Sequence, residues 1–480
     1  MSSAEPTRDD MLRILERQKA KQLAEGPPSE QLRAERLDRC IALLVDHAEA
    51  IADALNEDFG SRSREATGLT DISASIGPLK HAKAHLRKWM APEKRKTTPA
   101  ILGIFGAKAQ LQYQPKGVVG VISPWNFPVN LTFAPLAGIL AAGNRAMIKP
   151  SEFTPRTSEL MKAMFAKAFT EDEIAVITGG PAVGQDFAGL PFDHLIFTGG
   201  TSVARHVMRA AAENLVPLTL ELGGKSPVIL SETADLEVAA ARVMAGKTLN
   251  AGQICLAPDY VLAPEAKVDA FVAAAKGSVE KMFPTLRDNP DYTAIIAQKH
   301  YERITGYIDD ARAKGARIVE LNPAGEDFRQ QPHRKIPPTL ILDPTDDMAV
   351  MQEEIFGPVL PVKTYRGTAE AIDYVNSRPR PLALYWFGSD DAEKDRVLTN
   401  TTSGGATIND VIFHVAQEDL PFGGVGPAGM GAYHGHDGFK EFSHRKAVYS
   451  QLKKDIGPLQ RMRPPYGPAI RGYLKGAIKA

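Results

Sequence analysis

Two cysteines, Cys40 and Cys255, are all that the 480 residues contain. That scarcity excludes a disulfide framework, and with the pair 215 positions apart a reducing, cytoplasmic compartment is expected. Net charge is missing as well. The 57 basic side chains balance 57 acidic ones, which leaves no electrostatic footprint for nucleic acid. No apolar run reaches the roughly 18 residues of a membrane span. The opening "MSSAEPTRDD" has neither the basic nor the apolar region of a secretory leader. Internal repeats and low-complexity stretches are absent, and no G-x-G-x-x-G follows a strand-like run, so the ordinary dinucleotide fingerprint is lacking. The remaining composition, 44% hydrophobic and 24% charged, is that of a soluble globular enzyme of two or three domains.

The first part of the chain reads as helical over residues 8–59. Pro27 and Pro28 break it, and Ser29 caps the helix after them. Leu37, Cys40, Leu44, Ala48, Ile51 and Leu55 then recur at helical spacing, which puts Cys40 in a buried stripe. Residues 91–100, "APEKRKTTPA", form a charged, Pro-bounded break, and "AQLQYQP" alternates like an exposed strand. From residue 118 the rhythm changes. "VVGVISP", "RAMIKPS", "IAVITGG", "HLIFTGG" and "PLTLELGG" are short β-rich runs, each ending in turn chemistry. Helical segments lie between them at 128–142, 154–169 and 201–213, the pattern of βαβ units on a parallel sheet. Residues 224–420 repeat the alternation more loosely, with helices near 235–250, 265–282 and 298–314. The fold class is α/β.

Four motifs carry chemistry, three of them with a bland alternative. "GQIC" sets Cys255 on a turn beside Gly252, as a nucleophile needs, though a cysteine can equally be a small core residue. A cysteine protease would pair it with His206, 49 residues upstream. A lone histidine within a helix-like stretch is poor support for that. "LELGGKSP" ends a β-rich run on Glu221, either a general base reaching into a cleft or a solvated turn carboxylate. In "SPWNFP", Asn126 is placed to donate its amide to a developing oxyanion or simply to cap a turn. "EEIFGP" sets a carboxylate pair beside an aromatic and a Gly-Pro turn.

Taken in order, "PWNFP", "KPSE", "FTGG", "LELGGKSP", "GQIC", "EEIFGP" and "PFGG" resemble the NAD(P)-dependent aldehyde dehydrogenase superfamily from about residue 110 to residue 445. "LNAGQICLAPDY" and "LPFGGVGPAGMGAYHG" are most similar to its class 3 branch and to bacterial coniferyl aldehyde dehydrogenases. The resemblance implies a Rossmann-type cofactor domain, an α/β catalytic domain and a small bridging β element. It implies oxidation of an aldehyde to its acid through a cysteine thioester. Cys255 would be the nucleophile, Glu221, 34 residues before it, the base that activates water, and Asn126 an oxyanion donor.

For the cofactor, NAD with NADP as a further acceptor, the resemblance implies contacts from Trp125, Lys149, Glu152, Gly199, Gly200, Glu354 and Phe356. Lys149 and Glu152 would bind the adenine ribose, where a carboxylate repels a 2′-phosphate. No metal is called for. Relatives commonly carry Ser and Gly where this chain has Gly200 and Ala204, and often Ser at Ala428; the first change removes a hydroxyl from the pyrophosphate and leaves backbone contact. His414 falls either along the substrate funnel or in packing. The expected domains are 1–95 with 117–222 for the cofactor, 223–430 for catalysis, and 96–116 with 440–455 as strands that join a homodimer. A basic tail spans 456–480. The substrate is an aldehyde, aromatic and coniferyl-type or medium-chain aliphatic. A CoA-acylating enzyme would share the cysteine but not need Glu221.

Overall fold

Strands Val118–Ile122, Arg145–Lys149, Ile174–Val176, His194–Thr198 and Leu218–Glu221 form one parallel sheet, with the two-residue Gly429–Met430 antiparallel at its edge. The computed structural model describes residues 5–479. In space the order is Gly429–Met430, Leu218–Glu221, His194–Thr198, Val118–Ile122, Arg145–Lys149, Ile174–Val176. The chain therefore winds one way from Val118–Ile122 and then returns to wind the other way from its opposite edge. That reversal between Val118–Ile122 and His194–Thr198 is a topological switch point, and ligands bind at the carboxyl ends of such strands. "SPWNFP" and "FTGG" are the loops that leave these two strand ends.

Three of these strands, Arg145–Lys149, Ile174–Val176 and His194–Thr198, are buried along their whole length. Helices cover both faces, which explains why they read as continuous apolar runs rather than alternating ones. Helix Asn130–Ala141 is itself almost wholly buried. Helices Arg8–Glu25 and Glu30–Asp46 pack nearby, capped by Thr7 and Ser29 and interrupted at Gly26–Pro28 as the sequence requires.

A second sheet of seven strands runs Arg317–Glu320, Thr339–Leu342, Val359–Tyr365, Tyr260–Pro264, Pro227–Leu230, Ala383–Phe387, Gly405–Ile408. It is parallel apart from the edge strand Arg317–Glu320. Its core includes Tyr260, Leu262, Ile341, Val359 and Trp386. Helices Leu236–Thr248, Val268–Met282 and Gln298–Ala313 fall where the spacing places them. Both sheets lie within one compact unit, residues 1–89 and 115–443. The chain does not stay with the second sheet to residue 430. At Gly429 it rejoins the first sheet beside Glu221, and helix Gly435–Glu441 then packs on Asn130–Ala141.

The other unit comprises residues 90–114 and 444–480. Its sheet has strands Glu93–Arg95, Lys108–Pro115 and Ser443–Ser450. The charged segment expected to be a mere break thus contributes a short edge strand, and helix Ala100–Ile104 separates it from Lys108–Pro115. The basic tail belongs to this unit and carries helices Gly457–Gln460 and Pro468–Ala477. No helix among the described residues is long and apolar enough to cross a membrane.

Candidate active site

Cys255 follows the one-turn helix Leu249–Gly252, where Asn250, Ala251 and Gly252 all have positive φ (47°, 51° and 72°). Two non-glycine residues in the left-handed region cost of order 1–3 kcal/mol each, so the surroundings must hold them. Gln253 does much of this. Its amide nitrogen donates to the carbonyls of Asn250 (2.9 Å) and Ala294 (3.0 Å), and its oxygen accepts from the Ile296 N–H at 3.0 Å. At Gly252 a Cβ would run into the Gly357 carbonyl oxygen, so only glycine lets "GQIC" approach "IFGP". The Tyr385 hydroxyl donates to the Leu256 carbonyl at 2.5 Å and fixes the chain just beyond the thiol.

Cys255 as a residue is of intermediate exposure with its thiol turned inward, whereas Cys40 is fully buried on helix Glu30–Asp46. Burial pushes Cys255 above the usual thiol range, and the carboxyls of Glu354 and Glu221 add to that. The backbone amides of Cys255 and Leu256 act in the opposite direction, favouring thiolate. His206 stands exposed on helix Thr201–Ala212. A protease pairing finds no support there.

Asn126 sits in the loop after Val118–Ile122, and its side-chain nitrogen donates to the Gln253 carbonyl at 3.1 Å. One of its two hydrogens is thereby used, and the other is free for a substrate oxygen. Its own carbonyl accepts from Arg62 (2.8 Å) and from the Asn250 amide (3.2 Å). Arg62 is in turn paired with Asp71 at 2.5 Å, both wholly buried. The second Asp71 oxygen accepts the backbone N–H groups of Val129 (3.1 Å) and Asn130 (3.2 Å), which open helix Asn130–Ala141. Asp71→Ala would leave the Arg62 guanidinium buried without a counter-charge. We expect it to destabilise the protein by about 3–5 kcal/mol, measured by chemical denaturation; a loss under about 1 kcal/mol would contradict this role.

Glu221 ends strand Leu218–Glu221, is 2% exposed, and has no hydrogen-bond partner on either oxygen. Burial first, and Glu441 second, hold its carboxyl well above the usual range. Glu354 lies over the Gly223 backbone, where a Cβ would collide with its carboxyl group. Burial, with Asp259 adding, pushes Glu354 up to about 8. Lys225 and Asp259 tie the motifs together. The Lys225 ammonium pairs with Asp259 and donates to the carbonyls of Val350 (2.7 Å) and Glu353 (2.9 Å). Asp259 accepts the Ile355 N–H at 2.9 Å. "LELGGK", "CLAPD" and "EEIF" are therefore one bonded assembly.

The residues expected at the cofactor surround the switch point. Trp125 meets Phe356 edge-on at 5.3 Å, and Phe356 has φ 47°. The Lys149 ammonium donates to the Pro150 carbonyl (2.9 Å) and to Glu152 (3.3 Å). Gly199 and Gly200 precede helix Thr201–Ala212, and nothing lies within 4 Å of a Cβ at Gly200. A helix N-terminus with open backbone at a switch point is suited to a pyrophosphate, so these residues fit a dinucleotide. The hydroxyl missing at Gly200 is not replaced by its neighbour, because Thr201 donates to the Pro427 carbonyl at 3.2 Å. His414 bonds Thr407 at 2.8 Å and packs near Tyr385 and Phe422, and burial lowers it to about 4.

Arg62, Asp71 and Tyr385 carry no sequence signal; Gln253, Lys225 and Asp259 stand inside the quoted motifs, which assign them no role. Comparison with known proteins identifies the family and the fold. Residues 4–448 match the aldehyde dehydrogenase family. The chain is 75% identical to a "Probable coniferyl aldehyde dehydrogenase" of Caulobacter vibrioides, over 97% of this chain and 96% of that one. It is 56% identical to a coniferyl aldehyde dehydrogenase of a Pseudomonas species, over 96% and 94%. Substrate-bound Staphylococcus aureus AldH superposes with a TM-score of 0.90 at 37% identity, covering 98% of this chain and 99% of that one. An NAD-complexed aldehyde dehydrogenase of Mycobacterium tuberculosis gives 0.83 at 28% identity, covering 95% and 92%.

Proposed function

The chain belongs to the aldehyde dehydrogenase family, and we propose that it oxidises a coniferyl-type aromatic aldehyde to the acid through a thioester on Cys255, with NAD as acceptor. The observation that carries this reading is convergence. The Glu221 carboxyl, unpartnered on both oxygens, acts on the Cys255 thiol, and Asn126 bonds the Gln253 carbonyl two residues before that thiol. The aromatic preference is supported by the names of the relatives, coniferyl aldehyde dehydrogenases at 75% and 56% identity.

Once the Cys255 thiol has passed its proton to water, the thiolate sulfur attacks the aldehyde carbon, and the π electrons of the C=O bond pass to the carbonyl oxygen. Asn126 and the Cys255 N–H stabilise that oxyanion in a water-poor site. A nicotinamide held beside Trp125 and Phe356 would supply the acceptor for a hydride from the same carbon, and loss of that hydride leaves the acyl group on Cys255 as a thioester. Glu221 takes a proton from water, the resulting hydroxide adds to the thioester, and the acid departs as the thiolate is restored. The NADH absorbance produced from a panel of aldehydes tests the reading. Coniferyl-type aldehydes should exceed medium-chain aliphatic ones in kcat/KM by about tenfold or more, a discrimination of roughly 1.4 kcal/mol. The reverse order would overturn the substrate assignment.

Cofactor choice is assigned to Glu152, whose carboxylate stands 3.3 Å from the Lys149 ammonium. Glu152→Gln removes a repulsion toward a 2′-phosphate of order 1 kcal/mol at a partly solvated position. The NAD to NADP ratio of kcat/KM should fall about fivefold; an unchanged ratio would sink the assignment. A homodimer is proposed from the smaller unit, whose Ile101, Ile104, Phe105 and Tyr449 are exposed and whose charged edge strand offers unpaired backbone. Free thiols at both cysteines suit a cytoplasmic setting.

A further inference from the structure

Beside the proposed base lies a line of polar groups with no part in the reaction as described. The Lys116 ammonium, just before strand Val118–Ile122, is 2.9 Å from Nδ1 of His194. His194 Nε2 is 2.8 Å from the Thr219 hydroxyl, and that hydroxyl donates to Oε1 of Glu441 at 2.7 Å. The donor inventory fixes the direction of the line. An ammonium only donates, so Nδ1 accepts and Nε2 carries the ring proton. Thr219 accepts that proton and keeps its own single hydrogen for Glu441. Burial lowers His194 to about 3, so the ring stays neutral near pH 7 and the direction does not reverse. Gly431 leaves the room required, since a Cβ there would stand 2.7 Å from the Glu441 oxygen and 3.1 Å from Thr219.

Thr219 and Glu221 are two residues apart on one strand, so their side chains share a face about 7 Å apart. The Glu441 carboxylate is bonded to Thr219 on that face, and it is the charged group that acts on the Glu221 carboxyl. The other groups around Glu221 are the Cys255 thiol from the nucleophile loop, the Tyr433 hydroxyl from the segment before helix Gly435–Glu441, Thr198 in register on the adjacent strand, and Gly429 on the other side. Of these named groups Glu441 alone is a carboxylate.

We propose, resting on the assignment of Glu221 above, that Glu441 is a positioning residue whose locked negative charge makes Glu221 a stronger base toward the hydrolytic water. A like charge raises the affinity of a carboxylate for a proton. The base then ionises only at higher pH, but once ionised it removes a proton more effectively. The raised carboxyl of Glu221, with Glu441 contributing after burial, agrees with this.

The test is the decay rate of the acyl-enzyme, formed in a single NADH burst, measured across pH. Glu441→Gln keeps an acceptor for Thr219 and removes the charge, at a side chain already 26% exposed. An unchanged thermal midpoint and NAD KM would report an intact fold. The acid limb of deacylation should move down by about one pH unit, while the alkaline plateau falls about two- to threefold. Glu441→Lys should move the limb further in the same direction. A limb that stays at its wild-type position in both variants would overturn the proposal, whether or not the rate falls uniformly. Failure of the base assignment is separate: it would appear as a wild-type acid limb in Glu221→Gln.

Discussion

Cys255→Ala is expected to lower aldehyde-dependent NADH formation by about 10³-fold or more, because it removes the atom on which the acyl group is carried. Binding of NAD should survive, since the groups suited to it, Gly199, Gly200, Lys149 and Glu152, lie on the first sheet's own loops. Cys40→Ala is the control. Cys40 is fully buried beside Leu37 and Leu44 on helix Glu30–Asp46. Its loss should cost about 1 kcal/mol of stability through a small cavity and leave turnover within a few-fold. Equal effects of the two substitutions, or an essential Cys40, would remove Cys255 as nucleophile.

Glu221→Gln separates the halves of the reaction. The amide keeps the shape but cannot take a proton, so hydride transfer can occur once while hydrolysis stalls. General-base help is worth about 10²–10⁴-fold, and steady turnover should fall by that factor. Rapid mixing with aldehyde and NAD should give a burst approaching one NADH per active site, followed by near silence. The wild-type pH dependence follows from the raised carboxyl. Below its proton affinity Glu221 is neutral and inert as a base, so deacylation rises with pH as it ionises. The Gln variant should lose that rise. Loss of the burst as well would mean that Glu221 also deprotonates the thiol. Near-normal turnover would point to Glu354, the other carboxyl acting on Cys255.

Local signals in the chain are strong enough for most elements. Helices such as Pro155–Ala168 and Thr201–Ala212 follow from apolar spacing, and the strands ending in "FTGG" and "LELGG" follow from apolar runs closed by turn residues. Glu93–Arg95 is not legible as a strand, because a short charged edge strand looks like a break. The return of the chain at Gly429 is equally hidden. A two-residue strand is recognisable only by its partner, here Leu220 and Glu221, more than 200 residues earlier.

The site divides in the same way. Motif order brings Cys255, Glu221, Asn126, Glu354 and Phe356 into one reading. The groups that hold them do not appear, because their bonds are long-range and carry no periodicity. Arg62 reaches Asn126 across 64 positions, and Thr219 reaches Glu441 across 222. Nor does the sequence disclose that Asn250 and Ala251 are left-handed ahead of Gly252. Neither residue type announces that conformation, which is imposed by Gln253 and by the close approach of Gly357.

The most direct single measurement is the mass of the peptide containing Cys255 after Glu221→Gln protein has been mixed with aldehyde and NAD and quenched in acid. A thioester on Cys255 requires that peptide to gain the mass of the acyl group, at a stoichiometry matching the NADH burst. An NADH burst with an unmodified Cys255 peptide, or with the acyl group on another residue, would contradict the account.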